Sequence, residues 1–315
     1  MKNRIRSLLS ALFIFLLTTA LIAALSSCSS NSPVNSSGEL SESSKTESSE
    51  LSEETSNDAQ NDEVSYTNKD LKETYSRNEA TVITLKDGAS TVAGAGVTIT
   101  GDVINITQSG DYIISGKLSD GQIYINLPVK ESVRLILEGA EITNKRSAPI
   151  YAANIKKLVI TLAEGTVNKF FDADSYFFDT VQGEPNACIF SKGDITINGK
   201  GSLEVTGNYN NGIQSKDKLK IVNGNIKITA ENNALKGKDL VAIKDGTLNI
   251  KSYKDGIKSD NELEAGLGFV EITGGTITID AEKDGIQAVT SIKILGGTLN
   301  IKAKGEQYKA PIVIK

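Results

Sequence analysis

From Lys218 onward, polar and apolar residues alternate in short runs, and the runs recur. Leu219 and Ile221 stand against Lys218 and Lys220, and Ile277 and Ile279 against Thr276 and Thr278. A period of two marks strands with one buried face. Gly224, Gly246, Gly275 and Gly297 each lie two residues before Ile226, Leu248, Ile277 and Leu299, at spacings of 22, 29 and 22. Ile213, Leu235, Ile257 and Ile286 form a second series at 22, 22 and 29. Seven extra residues lengthen both series, and they fall between Asn261 and Gly268. Each unit reads as strand, Gly-containing turn, strand and Asn/Asp-Gly turn, with no stretch of helical length between them.

Short strands joined by tight turns build either an antiparallel sandwich or barrel, or a parallel β-helix whose every coil is one repeat. A constant register of 22 favours the second, because coils stacked about 4.8 Å apart place Ile over Leu over Ile and satisfy one another's backbone. The expected fold is therefore all-β, a parallel β-helix with about 22 residues per coil. Upstream, "VRLILEGAEI" and "KKLVITLAEG" align Leu135 with Leu158, and "SAPIY" and "NACIF" put Ile150 and Ile189 in the inward place. Glu164 to Pro185 interrupts the pattern with a loop carrying Phe170, Phe171, Tyr176, Phe177 and Phe178.

The stretches "NNGIQSKD", "NNALKGKD", "KDGIKSDN" and "KDGIQAVT" repeat one motif. Asn or Asp makes a turn, and the Ile or Leu that follows enters the core. Stacked Asn211 and Asn233 suit a side-chain amide ladder, whereas Asp255 and Asp284 in the same column repel and invite a cation. Asp217 and Asp239 form a second column, joined by Asp260 and Asn261. Calcium is the expected ion, with Asp217, Asp239, Asp255, Asp260 and Asp284 as ligands, because it accepts six to eight oxygens at flexible geometry. Solvated turn aspartates are the plain alternative. Asp172, Asp174 and Asp179 make a weaker second candidate, lacking the glycine of an EF-hand loop.

Lys2, Arg4 and Arg6 precede an apolar run from Leu8 to Leu25, which reads as a secretion signal. Leu25-Ser26-Ser27-Cys28 resembles a lipobox, so residues 1–28 are expected to be removed or anchored with Cys28 as the lipidated residue. Residues 29–74, with eleven Asp or Glu against Lys45, Lys69 and Lys72, are expected to be a solvated tether, and 75–315 the folded domain. The protein is then extracytoplasmic, lipid-anchored and monomeric, meeting the membrane only through its lipid. From Tyr75 onward 28 acidic and 28 basic groups balance, which gives no support for nucleic-acid capture.

The chain has no histidine, which removes Ser-His-Asp and Cys-His mechanisms and makes a transition-metal centre a poor fit. Paired carboxylates remain open for hydrolysis. A flat stack of coils suits a linear polymer. With no Trp, the candidate sugar platforms are Tyr176, Tyr209 and Tyr253, and Lys236 and Lys258 could meet an acidic polymer or simply aid solubility.

"GDYIISGKLSDGQIYIN", "VRLILEGAEIT", "APIYAANIKKLVITLAEGTVN", "NACIFSKGDITINGKGSLEV" and the Asp-Gly-Ile coils resemble the clostridial-type secreted carbohydrate-binding family across Ala80 to Ala303. The resemblance implies a right-handed β-helix similar to polysaccharide lyases. It also implies bound calcium at Asp255 and Asp284, and non-catalytic binding of plant cell-wall polysaccharide, either cellulose or polygalacturonate. Asn211 and Asn233 depart from that motif. Lyases of this scaffold commonly use an arginine base, yet the last arginine here is Arg146. A lyase or hydrolase, and a surface adhesin for protein, are the alternatives.

Overall fold

β-Branched residues at every second position commit most of the chain to strands, and the computed structural model describes residues 63–177 and 183–315. The leader, Cys28, most of the tether, Phe178 and Asp179 lie outside the described residues. The fold is all-β, with a single four-residue helix, Asn68–Leu71, among the described residues. A 10-stranded and a 17-stranded sheet account for the strands.

The 10-stranded sheet begins with Val97–Thr100 antiparallel to Val103–Ile106, and every later pairing is parallel. Its inward column runs Ile123, Ile150, Ile189, Ile213, Leu235, Ile257, Ile286 and Tyr308. The larger sheet forks at its longest strand, Ser132–Thr143. Residues 132–137 lead into the ladder through Lys157–Leu162, while residues 141–143 lead into the ladder through Val167–Phe171. Each repeat thus gives one strand to each of three parallel ladders. One apolar cluster joins them, containing Ile213, Leu235 and Ile257 from the small sheet with Leu219, Val241, Ile226 and Leu248 from the large one.

The sequence register holds in the backbone pairing: Ile226 pairs with Leu248, Leu248 with Ile277, and Ile277 with Leu299. The seven-residue insertion loops out after Ser259 and rejoins where the Gly268 amide donates to the Asp239 carbonyl at 2.6 Å. Glycine is required at the turn preceding this ladder. Gly275 has φ +89, and a Cβ there would sit 2.7 Å from the Gly246 carbonyl oxygen, so two successive repeats meet backbone to backbone.

The structure moves the boundary of the tether. Residues 63–74, read as its last part, pack on the outer face of the ladder through Lys157–Leu162. Thr67 and Asp70 form a reciprocal capping box, and Asp70 is fully buried. Its carboxylate receives Lys157 at 2.7 Å and the Thr196 hydroxyl at 2.6 Å, with Lys220 at 3.6 Å. The Val64 amide donates to Glu271, Lys220 donates to the Ser65 carbonyl, and Arg134 donates to the carbonyls of Lys72 and Thr74. Tyr66 lies under the ammonium groups of Lys220 and Lys244. Composition alone could not foresee this, because the partners are lysines and an arginine far along the chain.

Burial opposes ionisation of Asp70, but Lys157 and the hydrogen bonds from Thr196 and Thr67 outweigh it and hold the carboxyl well below its usual range. The stabilisation is therefore present above the ordinary aspartate pKa and is lost as pH falls through the depressed one. Asp70→Ala should destabilise the protein by about 3 kcal/mol or more, because it leaves buried lysine charge uncompensated. Urea unfolding at neutral pH, with Ser119→Ala as a surface control, measures this.

Candidate functional site

The residue after each inward Ile or Leu of the 10-stranded sheet points outward, and register stacks these residues into one column. It reads Asn105, Tyr124, Tyr151, Phe190, Gln214, Lys236, Lys258, Gln287 and Lys309. Tyr124, Tyr151 and Phe190 form an aromatic run in it, with Phe190 fully buried. Tyr124 and Tyr151 pack edge to face at 5.4 Å, and Tyr151 and Phe190 at 5.7 Å. Beyond the buried Gln214 it carries Lys236, Lys258 and Lys309, which include both lysines singled out from sequence.

Those lysines are not free. Lys236 pairs with Asp260 at 2.8 Å, and Lys258 lies 3.6 Å from Asp255. Lys283 reaches Asp255 at 3.1 Å and Asp284 at 3.6 Å, while Lys309 reaches Asp284 at 3.2 Å. Beneath them the expected side-chain ladder forms. Asn233 donates its amide to Asn211 at 2.9 Å, and the backbone amides of Asp255, Asp284 and Glu306 take the side-chain oxygens of Asn233, Asp255 and Asp284 in turn. Burial opposes ionisation of Asp284, but the Glu306 amide and Lys309 hold its carboxyl below the usual range. The cation that stacked carboxylates require is supplied here by lysine ammonium groups, and calcium at Asp255 or Asp284 would have to displace them.

Asp217 and Asp239 differ. They occupy the same place in adjacent repeats, since Lys218 pairs with Leu240, and neither forms an ion pair with a described residue. Burial, then the charges of Asp194 and Asp239, push the Asp217 carboxyl up. The Asn261 amide donates to Asp239 at 2.8 Å, whereas Asp260 belongs to Lys236. Asp194 escaped the sequence reading because it lies one residue off the column, in register with Lys218. Among the described residues no three carboxylates converge on one point. Calcium fits this column only as a pair of aspartates completed by Asn261, backbone carbonyls and water.

The tyrosines singled out from sequence divide. Tyr176 is 8% exposed, donates its hydroxyl to Asp172 at 2.6 Å and stacks on Tyr209 at 4.3 Å, so it backs Tyr209 and is not itself a platform. Tyr253 is half exposed on a turn. Phe170 is fully buried in the core, while Phe177 is largely exposed. Tyr124 and Tyr151 were missed. Their signal was the motif itself, since "QIYIN" and "PIYAAN" put tyrosine where later coils carry Gln or Lys.

Comparison with known proteins now adds to this geometry. A family described as "Carbohydrate-binding domain-containing protein" matches residues 100–312. The chain belongs to this family. A carbohydrate-binding domain-containing protein of Acetivibrio thermocellus is 43% identical over 136 residues, which are 43% of this chain. That match spans about half of the relative's length, 48%. A solved structure titled as the polysaccharide lyase-like protein from C. thermocellum, a gadolinium derivative, superposes with a TM-score of 0.72 at 39% identity. The superposition covers 75% of this chain and 97% of that one. The family match takes in the whole outward column from Asn105 to Lys309.

Asp172 yields a pH prediction for this carbohydrate-binding domain family member. Burial pushes its carboxyl up to about 6, against the hydrogen bonds from Tyr176 and Asn208. A raised folded-state pKa means stability that is full below the ordinary aspartate value and declines as pH rises through about 6. Asp172→Asn should flatten that decline, as read from the melting temperature between pH 4 and 8.

Proposed function

We propose that this protein is a non-catalytic polysaccharide-binding domain, built as a right-handed parallel β-helix and held outside the cell by a lipid on Cys28. The observation that carries the reading is the outward column of the 10-stranded sheet. One side-chain position per repeat, held in register through nine residues, presents Tyr124 and Tyr151 toward one end and Lys236, Lys258 and Lys309 toward the other, with Phe190 and Gln214 buried between them. A linear polymer lying along the stack would meet the tyrosines at one end and the lysines at the other, with neighbouring positions about 4.8 Å apart.

Calcium would be held at Asp217 and Asp239, where burial and the charges of Asp194 and Asp239 raise the Asp217 carboxyl, and not at Asp255 and Asp284. There it would bridge the protein to a uronate polymer such as polygalacturonate, the ion neutralising carboxylates on both sides. Lysine and carboxylate pairing also favours binding over cleavage. Lys236 and Lys258 are engaged, and Arg134 is buried against Asp111, so none of them stands ready as a base toward a substrate.

Affinity electrophoresis of the full chain, carrying Cys28→Ser to keep it free of lipid, tests this. Gels would contain polygalacturonate or a soluble cellulose derivative, each with calcium or chelator. Retardation by polygalacturonate that chelator abolishes, and that Asp217→Asn weakens at least several-fold, is expected. No retardation on any polymer would overturn the reading and leave a protein-recognising adhesin, and unsaturated product released from polygalacturonate would make the protein a lyase.

A further inference from the structure

We infer that the N-terminal end of the 10-stranded sheet carries a separate subsite for a neutral pyranose, with Tyr124 and Tyr151 as its platform. The inference rests on the carbohydrate-binding reading and assigns part of that surface a different sugar chemistry from the calcium-bridged region. Tyr124 and Tyr151 are adjacent in the outward column and half-buried, and neither hydroxyl is hydrogen-bonded to another described residue. Tyr151 packs against the buried cluster of Ala148, Ala173 and Tyr176, which restrains its ring before any ligand arrives. The weakly polar C–H face of a pyranose packs on such rings, while its hydroxyls need acceptors and donors at the edge.

That edge is present. A cavity of about 440 Å³ has Asp102, Asp120, Gln122, Asn144 and Arg146 in its lining. Gln122 pairs with Val103, and two residues along the same strands Tyr124 pairs with Asn105. The cavity and the platform therefore lie about 7 Å apart along one face. One Asp120 oxygen accepts the Lys145 amide and the other lies 3.4 Å from Arg146, while Asp102 accepts the Gly88 amide through one oxygen. Each carboxylate keeps acceptor capacity for a hydroxyl. The backbone amide of Phe177, a residue with an exposed side chain, donates to the carbonyl of Arg146 at 3.0 Å.

Charge selects the sugar. The lining sets two carboxylates against one guanidinium, so a uronate carboxylate would be repelled here, whereas a neutral sugar donating hydroxyls is favoured. No lysine of the outward column reaches this end; the first is Lys236, past Phe190 and Gln214.

Isothermal titration of the full chain, again with Cys28→Ser, against cellohexaose and hexagalacturonate reads both regions. Cellohexaose should bind, and Tyr124→Ala and Tyr151→Ala should weaken it about ten-fold or more, by a larger factor than they weaken hexagalacturonate. Asp120→Asn, which removes an acceptor without opening the core, should weaken cellohexaose in the same selective way. Melting temperatures identify any variant that fails to fold, and Asp120→Asn then decides. Variants folded as the parent that bind cellohexaose equally well overturn the subsite. So does a parent chain that binds hexagalacturonate alone, which leaves the carbohydrate-binding reading standing. A parent that binds neither hexasaccharide, and is retarded by no polymer, overturns that reading as well.

Discussion

Everything in this domain follows from the in-register stacking of parallel strands. In the parallel ladders each strand's amides and carbonyls find partners one repeat away, so the register cannot slip by one residue without turning every core side chain outward. Whatever occupies an outward position is forced to lie beside its counterpart in the next repeat. Columns of like residues are thus an obligation of the architecture before they are a resource for binding.

For apolar and amide residues the obligation is favourable, as in the Ile213 to Ile286 series and the Asn211 and Asn233 ladder. For carboxylates it is not. The domain meets the problem in two ways. Asp255 and Asp284 are interleaved with Lys258, Lys283 and Lys309, whereas Asp217 and Asp239 are left facing one another. The first arrangement is a structural brace, and the second keeps an unfavourable field that a hard cation would relieve. Residues 63–74 apply the first solution to the opposite sign, with Asp70 and backbone carbonyls collecting the ammonium and guanidinium groups of Lys157, Lys220 and Arg134.

The repeat was legible because its determinants are local. Alternation gives strands, Gly224 to Gly297 give the turns, and equal spacing gives parallel register, including the place of the insertion. The partners of charges were not legible. Lys283 lies one residue before Asp284 in sequence yet is closest to Asp255 of the previous repeat, and Asp70 finds Lys157, Thr196 and Lys220 across 87 residues and more. Tyr176 looked like a surface ring because its loop has no period, and only packing buries it against Asp172 and Tyr209. Tyr124 and Tyr151 were overlooked for the opposite reason, since regular strand positions drew attention to the inward isoleucines beside them.

The loop after Ser259 shows what this architecture tolerates. Seven residues were added to one repeat, and the ladders on either side continue in register as if they were absent. Doubling a flexible loop costs only about 0.6 kcal/mol in closure entropy. The wall of strands and its corners therefore obey different rules of change. New recognition elements can be grown at a corner, one repeat at a time, while the neighbouring repeats keep both their packing and whatever ligand they already hold.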